Sequence, residues 1–457
     1  MKRNLLILFV SVFYLNLSAQ CWNSISAGGA HTIGIRTGGT IWAWGLNDFG
    51  QLGNGGTTNS SLPIQAGTDT DWQKISAGTS HNIALKTNGT LWTWGKNLQN
   101  QLGNNSTTAS NIPIQIGMDN DWQFISAGDE YSLAIKANGT LWAWGLNNFS
   151  QLGNNSMTNL TVPTQIGVDA NWLFVSAGTD HTLAVKTTGT LWAWGRNNSG
   201  KLGDNSTTNR PIPTQIGTDT NWHNVMSGLT HSVATKIDGS LWTWGNNTSG
   251  QLGDGTNTVR LVPTNIGVIT NCNAISKGYQ HSLAKKSDGT LWSFGGNASG
   301  QLGDGTTVAK TSPIQVFGSA TDWQTISSRV THTVALKTDG SLYTWGSNLS
   351  GQLGLGTISL SVTSPTLVTC PTLSIDENVL AEKLAVYPNP TSSILNIRVN
   401  NNFVAFEKVI ITDLFGKIVF ERKENTTQIN VENLASGLYI IQAFSEEGNY
   451  QNKFFKN

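Results

Sequence analysis

The chain writes one phrase again and again. "GTIWAWGLNDFGQLGNGGTT", Gly39 to Thr58, returns fifty residues later as "GTLWTWGKNLQNQLGNNSTT", Gly89 to Thr108. Trp22, Trp72, Trp122, Trp172 and Trp222 keep that spacing, Cys272 takes the sixth place, and Trp323 takes the seventh after one extra residue. A second series agrees: Trp44, Trp94, Trp144, Trp194, Trp244, Phe294 and Trp345 each precede a glycine. Seven units therefore fill residues 21–370. A repeat of this length is one supersecondary unit that cannot bury its apolar surface alone, so neighbours must stack or close into a ring.

Each unit reads as strands. "PIQI", "WQFISAG", "YSLAIKANG" and "TLWAWG" are short alternating runs, and four strands per unit make one propeller blade. "TNG", "ANG" and "TDG" between the last two supply the positive φ angles of a tight hairpin. The 50 Gly and 18 Trp suit an all-β chain of many polar turns. Charged residues are only 12%, and 27 Lys+Arg balance 27 Asp+Glu, so no basic field exists to draw nucleic acid.

"ISAGTSHNIALKTNGTLWTWGKNLQNQLGNNSTT", Ile75 to Thr108, closely resembles the regulator of chromosome condensation repeat. The resemblance runs through all seven units and implies a seven-bladed β-propeller with tryptophan and leucine between blades. On this reading the repeated Trp, Leu and Gly are a core written seven times. His31, His81, His181, His231, His281 and His332 occupy one site per blade, with Tyr131 in the third. Spread around a ring they cannot converge on a metal, and each is expected to bond its own blade's backbone. The "DTD" and "DND" turns at Asp69–Asp71 and Asp119–Asp121 read as polar turns rather than a calcium cage. No metal or cofactor is expected.

Function is sought where the symmetry breaks. Strand alternation puts the loop after "ISAG" and the long loop after "WG" on one face, opposite the uniform Asn-Gly turns. Departures there give the candidate binding residues Phe49, Asp129, Glu130, Phe149, Asp180 and Tyr279. They favour a non-catalytic recognition surface for an extracellular protein or glycan, a secreted inhibitor of a foreign enzyme being a sharper version. The alternative is a glycan-active enzyme using Asp129, Glu130 and Asp180 as carboxylates. No Gly-x-Ser-x-Gly elbow, His-Glu-x-x-His helix or phosphate-cradling loop is present. Nucleotide exchange, the namesake's activity, needs an intracellular GTPase and does not suit an exported chain.

Export is read at both ends. Lys2 and Arg3, the apolar run after them and "SAQ" form a signal peptide over 1–19, cut between Ala19 and Gln20, leaving no stable membrane span in the mature chain. Cys21 follows Gln20, which is not the small residue that lipidation needs. The propeller is assigned to 20–370, a linker to 371–383 and a small C-terminal β-sandwich to 384–457. Pro388, Asn389 and Pro390 of "YPNP", Gly416 and Lys417 of "FGK", Gly437, Leu438 and Tyr439 of "SGLY", and basic Lys453 and Lys456 carry a strong resemblance to the type IX secretion system sorting domain. It implies recognition by the outer-membrane translocon of a Gram-negative bacterium, passage through the periplasm, and release or cell-surface attachment.

The cysteines bear on closure. Blade one begins at Cys21-Trp22 with no proline strand before it, while "SPTLVTC", Ser364 to Cys370, is an orphan strand after blade seven. With Pro365 in the part that Pro113 plays for Trp122, this strand completes the first blade. Cys21 and Cys370 then share one turn, where a disulfide would lock the ring. Cys272 is expected to be a free, packed thiol.

Overall fold

Alternation inside each repeat yields four short antiparallel strands, and their pairing settles how the repeats divide. The computed structural model describes residues 21–370, 384–399, 406–413, 417–423, 426–445 and 448–457. The expected leader, the 371–383 linker and Gly416 lie outside the described residues. The chain separates into two compact units, Met1–Cys370 and Pro371–Asn457.

The first unit holds seven four-stranded sheets. In the first, Trp22–Ala27, His31–Arg36, Ile41–Gly45 and Ser60–Gln65 follow one another from the inner strand to the outer. The "PIQ" strand is thus the outer strand of its own repeat, paired Trp42↔Gln65 and Ala43↔Ile64, and not the first strand of the next blade. The expected completion of blade one by the C-terminal strand is corrected accordingly: Ser359–Val368 pairs with Leu342–Asn348 inside blade seven. The physical reason is the free edge of the third strand, whose backbone groups the returning chain satisfies at once.

Packing, rather than a shared sheet, closes the ring. The apolar clusters lie between blades: Ile83, Leu85, Leu91 and Ile116 of the second meet Trp122, Ile125 and Trp144 of the third. The same arrangement joins Val334, Leu336, Leu342 and Val368 of the seventh to Trp22, Ile25 and Trp44 of the first. Between the fifth and sixth blades, Cys272 and Phe294 fill the places that tryptophans hold elsewhere. Cys21 and Cys370 are bridged across a sequence separation of 349, so the disulfide expected from the sequence forms although the strand scheme behind it does not. Cys272 is free and buried, and burial pushes its thiol up to about 12.

Polar groups repeat as regularly as the core. His31 Nε2 meets Asn82 Oδ1 at 2.9 Å, His81 meets Ser132 Oγ at 3.0 Å, and His332 meets Thr32 Oγ1 at 3.1 Å. Each imidazole therefore bonds the next blade's side chain, not its own backbone, because its ring crosses the interface where only that neighbour offers a partner. Gly28 makes room for it: a Cβ there would stand 2.2 Å from His31 Cε1. Lys86 lies 4.8 Å from the Trp72 ring centroid and 4.5 Å from that of Trp92, and pairs with Asp69 at 2.6 Å and Asp71 at 3.1 Å. Lys136 holds Asp119 and Asp121 in the same way, so these turn carboxylates serve a lysine clamp.

The second unit sets a three-stranded sheet (Leu384–Tyr387, Ile394–Val399, Gln428–Asn430) beside a four-stranded one (Ile418–Arg422, Lys408–Thr412, Gly437–Ser445, Gly448–Lys456). Leu395, Ile397, Phe406, Ile411, Ile441 and Phe454 fill the core they share.

Candidate functional site

Inner strands line a central channel. At their ends a serine of each blade accepts an amide of the next: Ser26 Oγ from Ala77 N, Ser76 Oγ from Ala127 N and Ser126 Oγ from Ala177 N, each at 2.9 Å. Ser176, Ser276 and Ser327 repeat the contact to Ser227, Ser328 and Ala27. Met226 alone stands in the serine position, beside Lys277 of the sixth blade, and both line the channel.

The loops after "SAG" and after "WG" do share a face, as the alternation predicts. Leu46 N donates to Ala30 O at 2.8 Å, Leu146 N to Glu130 O at 2.9 Å, and Arg196 N to Asp180 O at 2.9 Å. On this face the structure joins residues from four blades. Asp129 Oδ1 accepts from Arg329 Nη2 at 2.7 Å and from Thr79 Oγ1 at 2.8 Å, while Oδ2 accepts from the Tyr279 hydroxyl at 2.9 Å. Arg329 Nη1 also reaches the carbonyls of Ala77 at 3.2 Å and Ala127 at 3.0 Å, so one guanidinium ties the channel mouth together.

Burial alone would raise the Asp129 carboxyl, but the Arg329 charge and the bonds from Thr79 and Arg329 outweigh it and hold the group below the usual carboxylate range. Lys277, buried among these residues, is lowered to about 7 by desolvation and then by repulsion from Arg329, with Asp129 pulling the other way. Burial first, then the Asp129 charge, pushes Tyr279 up to about 12. Val330, next to Arg329, sits at φ 47°, a strained setting for a β-branched residue.

The other candidates form two flanking groups. Lys96 Nζ stands 2.5 Å from Glu130 Oε1 and 5.5 Å from the Phe49 ring centroid. Arg196 lies 4.3 Å over the Phe149 ring and 3.2 Å from Asp180, which also pairs with the buried Lys201. The structure brings Asp129 and Tyr279 together and places Phe49 with Glu130 and Phe149 with Asp180. It does not set the three carboxylates against one another, since each faces its own cation. Sequence reasoning missed Lys277 and Arg329. Their signal was the end of the inner strand, "ISKG" and "ISSR" in place of "ISAG".

In the C-terminal unit, Asn389 Oδ1 accepts from Phe455 N at 2.9 Å and its Nδ2 donates to Lys453 O at 3.2 Å. This joins the Pro388–Pro390 loop to the strand that carries Lys453 and Lys456. Tyr439, after Gly437 and Leu438, stacks on Phe454 at 5.7 Å. Lys417 lies in a separate turn, its N–H bonded to Asp413 Oδ1.

Comparison with known proteins follows this division. The regulator of chromosome condensation (RCC1) repeat model matches residues 38–85, 88–135 and 138–185, and the RCC1-like domain model matches 167–386. The secretion system C-terminal sorting domain matches 385–457. Among solved structures, Prp20p from Saccharomyces cerevisiae superposes with a TM-score of 0.66 at 21% identity, over 77% of this chain and 88% of that one. Human WBSCR16 gives 0.65 at 22% identity, over 73% and 94%. Ulvan lyase NLR42 of Nonlabens ulvanivorans is 39% identical over 90 residues, which is 19% of this chain and 16% of that protein's length. Among the described residues no helix is long and apolar enough to cross a membrane, and no cluster of His, Cys, Asp and Glu could hold a metal ion.

Proposed function

Since the chain is built of regulator of chromosome condensation repeats and ends in a secretion system C-terminal sorting domain, we propose that it is an exported recognition protein, released or held at the cell surface. Its propeller binds an extracellular protein or glycan through the face that carries Asp129, Tyr279, Arg329 and the two flanking groups. One observation carries this reading: Asp129, Tyr279, Arg329 and the two cation–aromatic groups, all departures from the repeat, meet on one face, while the opposite face keeps its lysine clamp in five of the seven blades. A rigid scaffold that presents cation–aromatic groups at loop tips has the composition of binding hot spots.

The test is a pull-down and glycan array with the full chain. Phe49→Ala and Phe149→Ala should weaken capture, whereas Asn88→Ala and Asn138→Ala on the opposite face should not. Equal losses from the two faces would overturn the assignment. The identity to part of an ulvan lyase favours one rival, a glycan-active enzyme. Product formation abolished in Asp129→Asn would establish that rival.

A further inference from the structure

We infer that the channel mouth is a binding site for a small carboxylate anion, held by Lys277 and Arg329. Lys277 is 9% exposed and lines the channel. Among the described residues its ammonium group has no hydrogen-bond or ion-pair partner within reach. The carboxylate facing it is already engaged: Asp129 takes Arg329, Thr79 and Tyr279 on its two oxygens. Two buried cations thus share one anion, and Arg329 Nε is left without a partner. Unbalanced buried charge is costly, and a second anion removes that cost while filling donors the protein leaves open.

The cavity suits such a guest. It measures about 170 Å³, and beside the two cations its lining combines serines such as Ser26 and Ser76 with apolar side chains such as Phe124, Phe174 and Met226. The oxygens of Ser26 and Ser76 each accept an amide, so their O–H groups are free to donate to a bound carboxylate. In the first four blades the Lys277 position is Ala27, Ala77, Ala127 and Ala177, so the channel needs no lysine for folding. The inference rests on the recognition reading only for the face at which the guest enters. Hairpin tips can hold a partner without it, so failure here leaves that reading standing.

Calorimetric titration of the full chain with succinate, ionic strength matched with sodium chloride, tests it. One saturable site is expected, at least tenfold weaker in Lys277→Ala and unchanged in Lys285→Leu, a lysine of the same blade outside the channel whose counterpart in blade two is Leu85. Affinity should fall from pH 6 to pH 8.5. The charged and titratable groups around Lys277 are Arg329, Asp129, Tyr279 and the buried His181, His231 and His281; of these Asp129, Tyr279 and the three histidines, shifted away from that window, keep one protonation state across it. Absence of saturable binding, or equal affinity in Lys277→Ala, overturns the proposal.

Discussion

Arg329 and Asp129, two hundred residues apart in sequence, meet at 2.7 Å across the mouth of the propeller channel. Arg329 fills a position that is glycine in the other blades, so the seventh repeat gave up its standard turn to reach the third. Removing one partner of a buried pair leaves the other charge uncompensated. Asp129→Ala should therefore cost about 3–5 kcal/mol. The double variant Asp129→Ala/Arg329→Ala should lose less than the sum of the two single changes. Urea unfolding of all four proteins measures the coupling, and additive losses would contradict the pairing.

Acid should loosen the ring through its histidines. Burial lowers His31 to about 4 and His81, His231, His281 and His332 to about 3, while unfolded imidazoles take protons near 6.5. Below pH 6.5 the unfolded chain binds more protons, so stability falls as pH falls, by about 1.4 kcal/mol per pH unit for each histidine, until the folded values are reached. Tyr131 shows the substitute that the fold accepts, its hydroxyl bonding His181 O at 2.7 Å. His281→Tyr should make the acid slope shallower by about one proton in unfolding curves between pH 7.5 and 4.5; an unchanged slope would be inconsistent with this account.

Cys370→Ser should lower the stability of the propeller by up to about 6 kcal/mol, the chain-entropy figure for a loop closed across 349 residues. The denaturant midpoint should drop while the native tryptophan fluorescence stays the same. Thiol titration of the unfolded, unreduced wild type should count one group, Cys272; a count of three would refute the bridge.

Asn389 should matter to export more than to stability. Asn389→Ala removes two exposed bonds between the proline loop and the last strand, each contributing at most about 1 kcal/mol. The variant should accumulate within cells, measured by immunoblot of cell and supernatant fractions. Wild-type levels in the supernatant would show that this junction is not what the sorting machinery reads.

The blades were legible because tryptophan spacing survives every loop change, and the shared face because alternation fixes which hairpins open together. Strand partition was not. "PIQI" lies closer in sequence to Trp72 and its counterparts than to the third strand it pairs with, and the long loop after "WG" hides that return. The Cys21–Cys370 bridge was still readable, since the two ends of a closed ring meet however the strands divide. Asp129 and Tyr279 stood out as loop residues. Lys277 and Arg329 did not, because a single change at the end of a strand carries no mark of where it points. Their meeting depends on a distance across the channel that no linear spacing contains.

The row of serine-to-amide bonds around the channel has one gap, at Met226, and the same interface substitutes cysteine and phenylalanine for two tryptophans. A torus clasped by a disulfide where its ends join cannot peel from those ends. Mechanical or thermal opening must then start at an interior interface, and the substituted one between the fifth and sixth blades, two junctions from the clasp, is the hinge. The carboxylate site lies beside that hinge, so a guest bound there would act as its latch.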